Sequence, residues 1–496
     1  MSRFFNTPEF ILYKSILIFI TGFTFLLMLS VTSQSAEHPG THQTDLERFR
    51  DSPSYKDTRI MNVPLNKLAK RQELTHEIFG YLPYWEYNSY SDLRYNLLTT
   101  IAYFSAEINS NGSISNDHHW PASSLISKAH TNGVKVVLCA TLFDKTALGT
   151  LLSNQTYRTN CVNNLLTSVR QAGGDGVNID FEGVPAAQRN NLVTFMQQLA
   201  DSFRTYIPDA QISMASPAVD WSGAWDYNSL AGICDFLFIM GYDYYYSGSS
   251  TSGPNSPLTG GSYNITNTVN TYINAVGSGQ TKKILLGIPY FGFEWPTESY
   301  TAKSNTTGKG SSIFYDGAET DAAQYGKNWH SASQTPWYCY YNMQYYQGWY
   351  DDSLSLALKY TFAKSKNLGG VGMWALGYDG ARSELWDALA SAFQTSAINT
   401  EPTVINTFNI LPNYPNPANP GTIFPIIFNE ESGFTVMIYD LNGKMIFSRS
   451  MNSSATHYNF YWNGLSDNEQ AVSSGIYFLK IVSGQKSHTR KFSLLK

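Results

Sequence analysis

Charge is scarce in this chain. Asp, Glu, Lys and Arg make up 14% of its 496 residues, against about a quarter in ordinary soluble proteins. There is no long Lys/Arg run and the formal net charge is −5, so the electrostatic footprint of a nucleic-acid binder is missing. Cysteine is scarce too. Cys139, Cys161, Cys234 and Cys339 show no metal-ligand spacing; oxidised, they allow three pairings, and free buried thiols are the alternative. Nothing calls for a metal or organic cofactor. Long apolar runs are confined to SILIFITGFTFLLMLSV, preceded by Arg3 and Lys14 and followed by Ser33, Gln34, Ser35 and Ala36. That is a signal-peptide pattern over residues 1–36, with cleavage after Ser35 or Ala36. An uncleaved anchor is the rival reading, and after signal removal no stable membrane span is expected.

What the chain has in quantity is rings: aromatics reach 15%, with 34 Tyr and 11 Trp. Flat apolar faces with polar edges suit neutral polar ligands such as sugars, and they equally suit a large core. Residues 37–76 are polar and mixed in charge without an apolar period, as in a leader or a loosely docked arm. From 77 to 395 short apolar runs recur at 78–84, 99–105, 134–140, 176–182, 211–216, 235–242, 283–290 and 370–376. Helix-like stretches lie between most of them, which predicts an α/β fold, a (β/α)8 barrel, with a doubly wound sheet as the alternative. An insertion of about sixty residues between the seventh and eighth strands carries Trp295, Tyr300, Phe314, Tyr315, Trp329, Trp337, Tyr338, Tyr340 and Tyr341. A connection that long builds a groove wall or a small subdomain with its own core. After a linker at 396–407, residues 408–496 alternate with period two around an Asn-Gly turn signal, predicting a small all-β sandwich.

One strand stands apart. In GGDGVNIDFEG, Val177, Ile179 and Phe181 alternate with Asn178, Asp180 and Glu182. Residues two apart on a strand share a face, so Asp180 and Glu182 have Cα atoms ~7 Å apart on one side. In a parallel barrel the apolar side packs on helices and the polar side points inward. Carboxylates held there are costly unless a ligand or proton relieves them, and such arrangements mark sites. Glu182 falls at the strand's C-terminal end, the active face of such barrels.

DGVNIDFE resembles the signature of glycoside hydrolase family 18, Asp-Gly-x-Asp-x-Asp-x-Glu on the fourth strand, through Asp175, Gly176, Asp180 and Glu182. MGYD (Met240–Asp243), LGIPYFGFEW and GGVGMWALGYDG resemble the family's sixth, seventh and eighth strands. Two features depart from the common pattern: Asn178 stands where an Asp is usual, and LCATLF replaces the third-strand Ser-x-Gly-Gly. Both are similar to a branch that includes spore-cortex and other peptidoglycan-related N-acetylglucosaminidases.

The resemblance implies a retaining glycosidase acting on β-1,4 bonds at N-acetylglucosamine residues, in which the substrate's own 2-acetamido group is the nucleophile. Glu182 becomes the acid and then the base, Asp180 the partner of the acetamido N–H, and Tyr242 the donor to its carbonyl oxygen. Asn178, Asp243 and Met240 would contact substrate, Trp374 would floor the sugar site, and Tyr81 and Tyr290 would line the same end. The rival is a non-catalytic, lectin-like glycan-binding barrel. YPNPANPGT, IYDLNGK and YWNGLSDNEQAVSSGIYFLKIVSG resemble the C-terminal sorting domain of type IX secretion, a carbohydrate-binding or spacer sandwich being the alternative. The expected partners are therefore an N-acetylglucosamine-containing polysaccharide and the type IX secretion machinery. The expected location is secreted or cell-surface.

Overall fold

The computed structural model describes residues 38–52, 74–394 and most of 408–495. The signal peptide expected at 1–36, residues 53–73 and the linker expected at 396–407 lie outside the described residues. Eight parallel strands, Glu77–Pro83, Thr100–Ile108, Lys135–Leu142, Gly176–Phe181, Gln211–Pro217, Phe236–Met240, Ile284–Pro289 and Gly370–Trp374, pair in sequence order. The eighth then pairs with the first, Gly370 opposite Glu77. The sheet is closed: a (β/α)8 barrel and not an open doubly wound sheet.

The strands are buried along both faces, which is why they read as apolar runs rich in branched and aromatic residues. Inside, Phe79, Tyr81 and Phe238 fill the barrel with ring centroids 5.0 to 5.5 Å apart. Glycines on two neighbouring strands make room for Phe238: a Cβ on Gly287 or Gly372 would stand 2.3 or 2.5 Å from its ring. Outside, the helices are amphipathic. Gln155–Ala172 buries Cys161, Val162, Leu165, Leu166 and Val169 at helical spacing, each large apolar side chain contributing about 1.5–3 kcal/mol. Its first turn is capped by the Asn154 side chain, and left-handed Gly173 ends it at φ 70°. All four cysteines are buried and free.

The insertion folds as a five-stranded antiparallel sheet, from Phe291–Thr297 to Gln344–Trp349, with the helix Tyr315–Tyr325. Trp295, Tyr315, Tyr338 and Trp349 are buried in a core continuous with that of the barrel. Tyr300 and Tyr341 are exposed.

The N-terminal arm differs from the sequence expectation of a leader or loose attachment. Thr41–Arg48 is a helix whose buried residues are Thr41, His42, Asp45 and Leu46. The docking face is polar because it enters a polar mouth, so no apolar period announces it.

The C-terminal unit has two antiparallel sheets of three and four strands, joined by a core that includes Phe424, Ile426, Val436, Ile438, Leu479 and Phe492. Its turn at Asn442–Gly443 places Gly443 at φ 79° and hydrogen-bonds the Asn442 and Lys444 amides to the Asp440 carboxylate. Among the described residues no helix is long and apolar enough to cross a membrane.

Candidate active site

The polar face of the fourth strand does point inward. Asn178 and Asp180 are wholly buried, opposite Ser213 on the fifth strand and Thr141 on the third. Asn178 is committed to the barrel wall. Its Oδ1 accepts from the Tyr81 hydroxyl at 2.9 Å and the Cys139 thiol at 3.5 Å, and its Nδ2 donates to Ser213 Oγ at 2.9 Å. Burial, with the charges of Asp180 and Glu182, pushes the Cys139 thiol well above its ordinary range, which keeps it a donor.

Asp180 and Tyr242 converge on a residue from the arm. His42 Nδ1 lies 2.7 Å from Asp180 Oδ2, and its Nε2 lies 2.6 Å from the Tyr242 hydroxyl. Burial first, then the charges of Asp180 and Asp243, drive the Tyr242 phenol far up, so it remains an O–H donor. The imidazole stacks on Trp374 at 3.8 Å between ring centroids and 28° between planes. Tyr81 approaches the same imidazole at 5.1 Å.

Glu182, at the strand's end, is 12% exposed, with Oε1 3.8 Å from His42 Nδ1. Gly40 runs across it so closely that a Cβ there would stand 2.0 Å from Oε2. Asp243 sits in a left-handed conformation, φ 61°, held by its own amide donating to Asn255 Oδ1 at 2.8 Å. Both its oxygens are taken by Thr41, one by the amide at 2.8 Å and one by the hydroxyl at 2.7 Å. Burial raises the Asp243 carboxyl above its usual range.

Further along the arm, Asp45 accepts from Trp374 Nε1 at 2.9 Å and from the Tyr378 hydroxyl at 2.8 Å. Burial pushes its carboxyl up to about 6, against the opposing pull of those two bonds and of the Arg48 charge.

Glu182, Asp180, Tyr242, Trp374 and Tyr81 thus meet around one imidazole, while Asp243 is held by the adjacent Thr41 and Asn178 stands behind Tyr81 in the barrel wall. Met240 ends the sixth strand, on the face of Phe238 by alternation. Tyr290 goes elsewhere: it is fully buried, but its hydroxyl lies near Tyr360, Asp379 and Tyr315, among the insertion and the helix that follows it. Sequence reasoning missed Thr41, His42, Asp45 and Tyr378. The only available signal was Thr, His and Asp at i, i+1 and i+4 of one short polar helix.

His42, Asp180 and Glu182 offer ligand atoms within 4.8 Å of one another, close enough to suggest a cation. The 2.7 Å approach of Nδ1 to Oδ2 is instead a direct hydrogen bond. Two ligands each ~2 Å from a metal stand farther apart than that.

Residues 77–379 match the family model described as Glycosyl hydrolases family 18, and residues 413–494 match the Secretion system C-terminal sorting domain. A Bacillus subtilis (strain 168) protein named as a sporulation-specific glycosylase, YdhD, is 30% identical over 240 residues, 46% of this chain and 52% of its own length. The chain therefore spans about half of that relative. Its crystal structure superposes with a TM-score of 0.50 at 26% identity, covering 57% of this chain and 94% of that one. Di-N-acetylchitobiase of Mus musculus is 26% identical over 281 residues, 50% of this chain and 72% of its own. The chitinase of Cycas revoluta in complex with (GlcNAc)3 shares the fold, with a TM-score of 0.58 at 18% identity, over 64% of this chain and 99% of that one.

Proposed function

Since the chain belongs to glycosyl hydrolase family 18, we propose that it is a retaining glycosidase cleaving β-1,4 bonds at N-acetylglucosamine residues of chitin-like or peptidoglycan-type glycans. The observation that carries this reading is the convergence of Asp180, Tyr242 and Trp374 on one ring-sized space, with Glu182 at its edge. In that space a sugar would lie on Trp374 with its acetamido N–H on Asp180 and its carbonyl oxygen under the Tyr242 hydroxyl.

Glu182 would then give its proton to the leaving glycosidic oxygen as the acetamido oxygen attacks the anomeric carbon. Asp180 would stabilise the oxazolinium charge, and Tyr242 would hold the nucleophile at its attack distance. In the second half Glu182 takes a proton from water, and water opens the oxazolinium from the face the leaving group left. Configuration is retained by two inversions. Asp243 would bind near the acid.

The sorting domain at 413–494 supports export through the type IX system to the medium or the cell surface, after a signal peptide at 1–36.

The test compares the exported chain with its Glu182→Gln variant on chitin oligosaccharides and on purified peptidoglycan, following products by mass spectrometry. Cleavage that disappears in the variant is the expected result, and the preferred polymer assigns the substrate. Glycan binding without cleavage by either protein would replace this reading with that of a lectin-like barrel.

A further inference from the structure

We propose that residues 38–49 are an intramolecular ligand of the catalytic cleft, with His42 standing where the acetamido sugar would bind. This rests on the glycosidase reading and adds the regulation of the same site.

The mimicry is atomic. An acetamido group offers one N–H donor and one acceptor oxygen. A neutral imidazole protonated on Nδ1 offers the same pair: a donor 2.7 Å from Asp180 and an acceptor 2.6 Å from the Tyr242 hydroxyl. Its flat ring lies 3.8 Å from Trp374 at 28°, the place of the sugar's apolar face.

The neighbours of His42 deny the rest of the cleft. Gly40 lies against Glu182 where a leaving oxygen would have to stand, and a Cβ there would stand 2.0 Å from Oε2 and push the carboxylate aside. Thr41 occupies both oxygens of Asp243, and Asp45 occupies Trp374 and Tyr378.

Both flanks are tied outside the cleft. His38 stacks on Tyr246 at 3.6 Å, and Phe49 stacks on Trp85 at 5.0 Å while its carbonyl accepts from the Tyr84 hydroxyl at 2.8 Å. A sugar and His42 cannot share this space, so substrate enters only when the arm leaves. Because the arm is tethered, it competes at an effective concentration of order millimolar. The enzyme is exported closed and works when the arm is displaced.

The test uses the full exported chain and a Thr41→Ala/His42→Ala/Asp45→Ala triple variant, assayed on a chitin tetrasaccharide. The triple variant should show a kcat/KM at least tenfold higher, chiefly through KM. A synthetic peptide of residues 38–52 should inhibit it competitively, and the same peptide with His42→Ala should not at tenfold higher concentration. Where both proteins hydrolyse the tetrasaccharide, equal kcat/KM overturns the proposal, as does non-competitive inhibition. A second readout needs no turnover: the labelled peptide bound to the triple variant should be released by the tetrasaccharide. Release without hydrolysis by either protein would support the arm as ligand and fail only the glycosidase reading. A peptide that stays bound under saturating tetrasaccharide overturns the mimicry.

Discussion

Asp351 and Asp352, beside the helix Ser353–Ser365, and Asp180, at the barrel mouth, are buried carboxylates, and Asp243 beside Asp180 is half-buried, yet their surroundings differ. The first pair has built-in cations. Lys359, itself wholly buried, is ion-paired with Asp351, and Lys327 reaches Asp352 at 3.3 Å. Asp352 also caps the helix through the Ser355 amide. The second pair has none: among the described residues no lysine or arginine forms an ion pair with Asp180 or Asp243. Its partners are the arm's imidazole, amide and hydroxyl. A buried acid with a fixed counter-ion is architecture, and one whose partner arrives on a separate segment is a binding site.

The strongest challenge to that contrast is Glu182→Gln, which should lower cleavage by about 10³-fold, the scale of a lost general acid, with the thermal midpoint unchanged. A large fall in stability would move this acid into the architectural class. Lys359→Met asks the converse. It leaves Asp351 buried without its cation and should cost about 3–5 kcal/mol in urea denaturation, while activity per folded molecule stays the same. Lost activity at full stability would erase the contrast.

The arm itself should respond to pH. Asp45 is raised from 3.8 to about 6 by burial when docked, with Arg48, His42, Trp374 and Tyr378 facing it. The docked state therefore takes up a proton that the free arm gives up. The contribution of Asp45 to docking is therefore greatest below pH 4 and is lost as pH rises through about 6, a change of ~100-fold between pH 4 and 7 at tenfold per unit. Peptide binding measured across that range checks the sign, and an Asp45→Asn peptide should show a flatter dependence. The smallest effect expected is that of Asn178→Asp. A second carboxylate beside Asp180 makes the pair harder to ionise, so the acid limb of the pH–rate profile should move up by about one unit. An unmoved limb would mean that Asn178 matters only as the brace between Tyr81 and Ser213.

Much of this was legible in the sequence. Each barrel strand was a short apolar run, since strands buried on both sides need little else, and the single alternating run, 177–182, was the one whose inner face carries the acids. Tyr242 and Trp374 were placed by short motifs at the ends of the sixth and eighth strands. What escaped detection did so for physical reasons. Hydrophobic periodicity reports only apolar burial, and the helix Thr41–Arg48 docks mainly through Thr, His and Asp. Tyr290 ends its strand at the mouth, but the packing around Tyr360 and Tyr315 decides where its ring goes. The insertion's rings serve a core and a groove equally well, and only long-range strand pairing shows that Trp295 and Tyr338 are core while Tyr341 is not.

The contact between His42 and Trp374 has a consequence at the bench. The eluant of metal-affinity chromatography is the side chain of His42 without its backbone, and a polyhistidine tag is a string of such side chains. If the arm is the ligand proposed above, a cleft that receives one imidazole would receive others. Enzyme purified by that route would carry a competitor into its own assay, and its apparent affinity for glycan would depend on how thoroughly the column buffer was dialysed away.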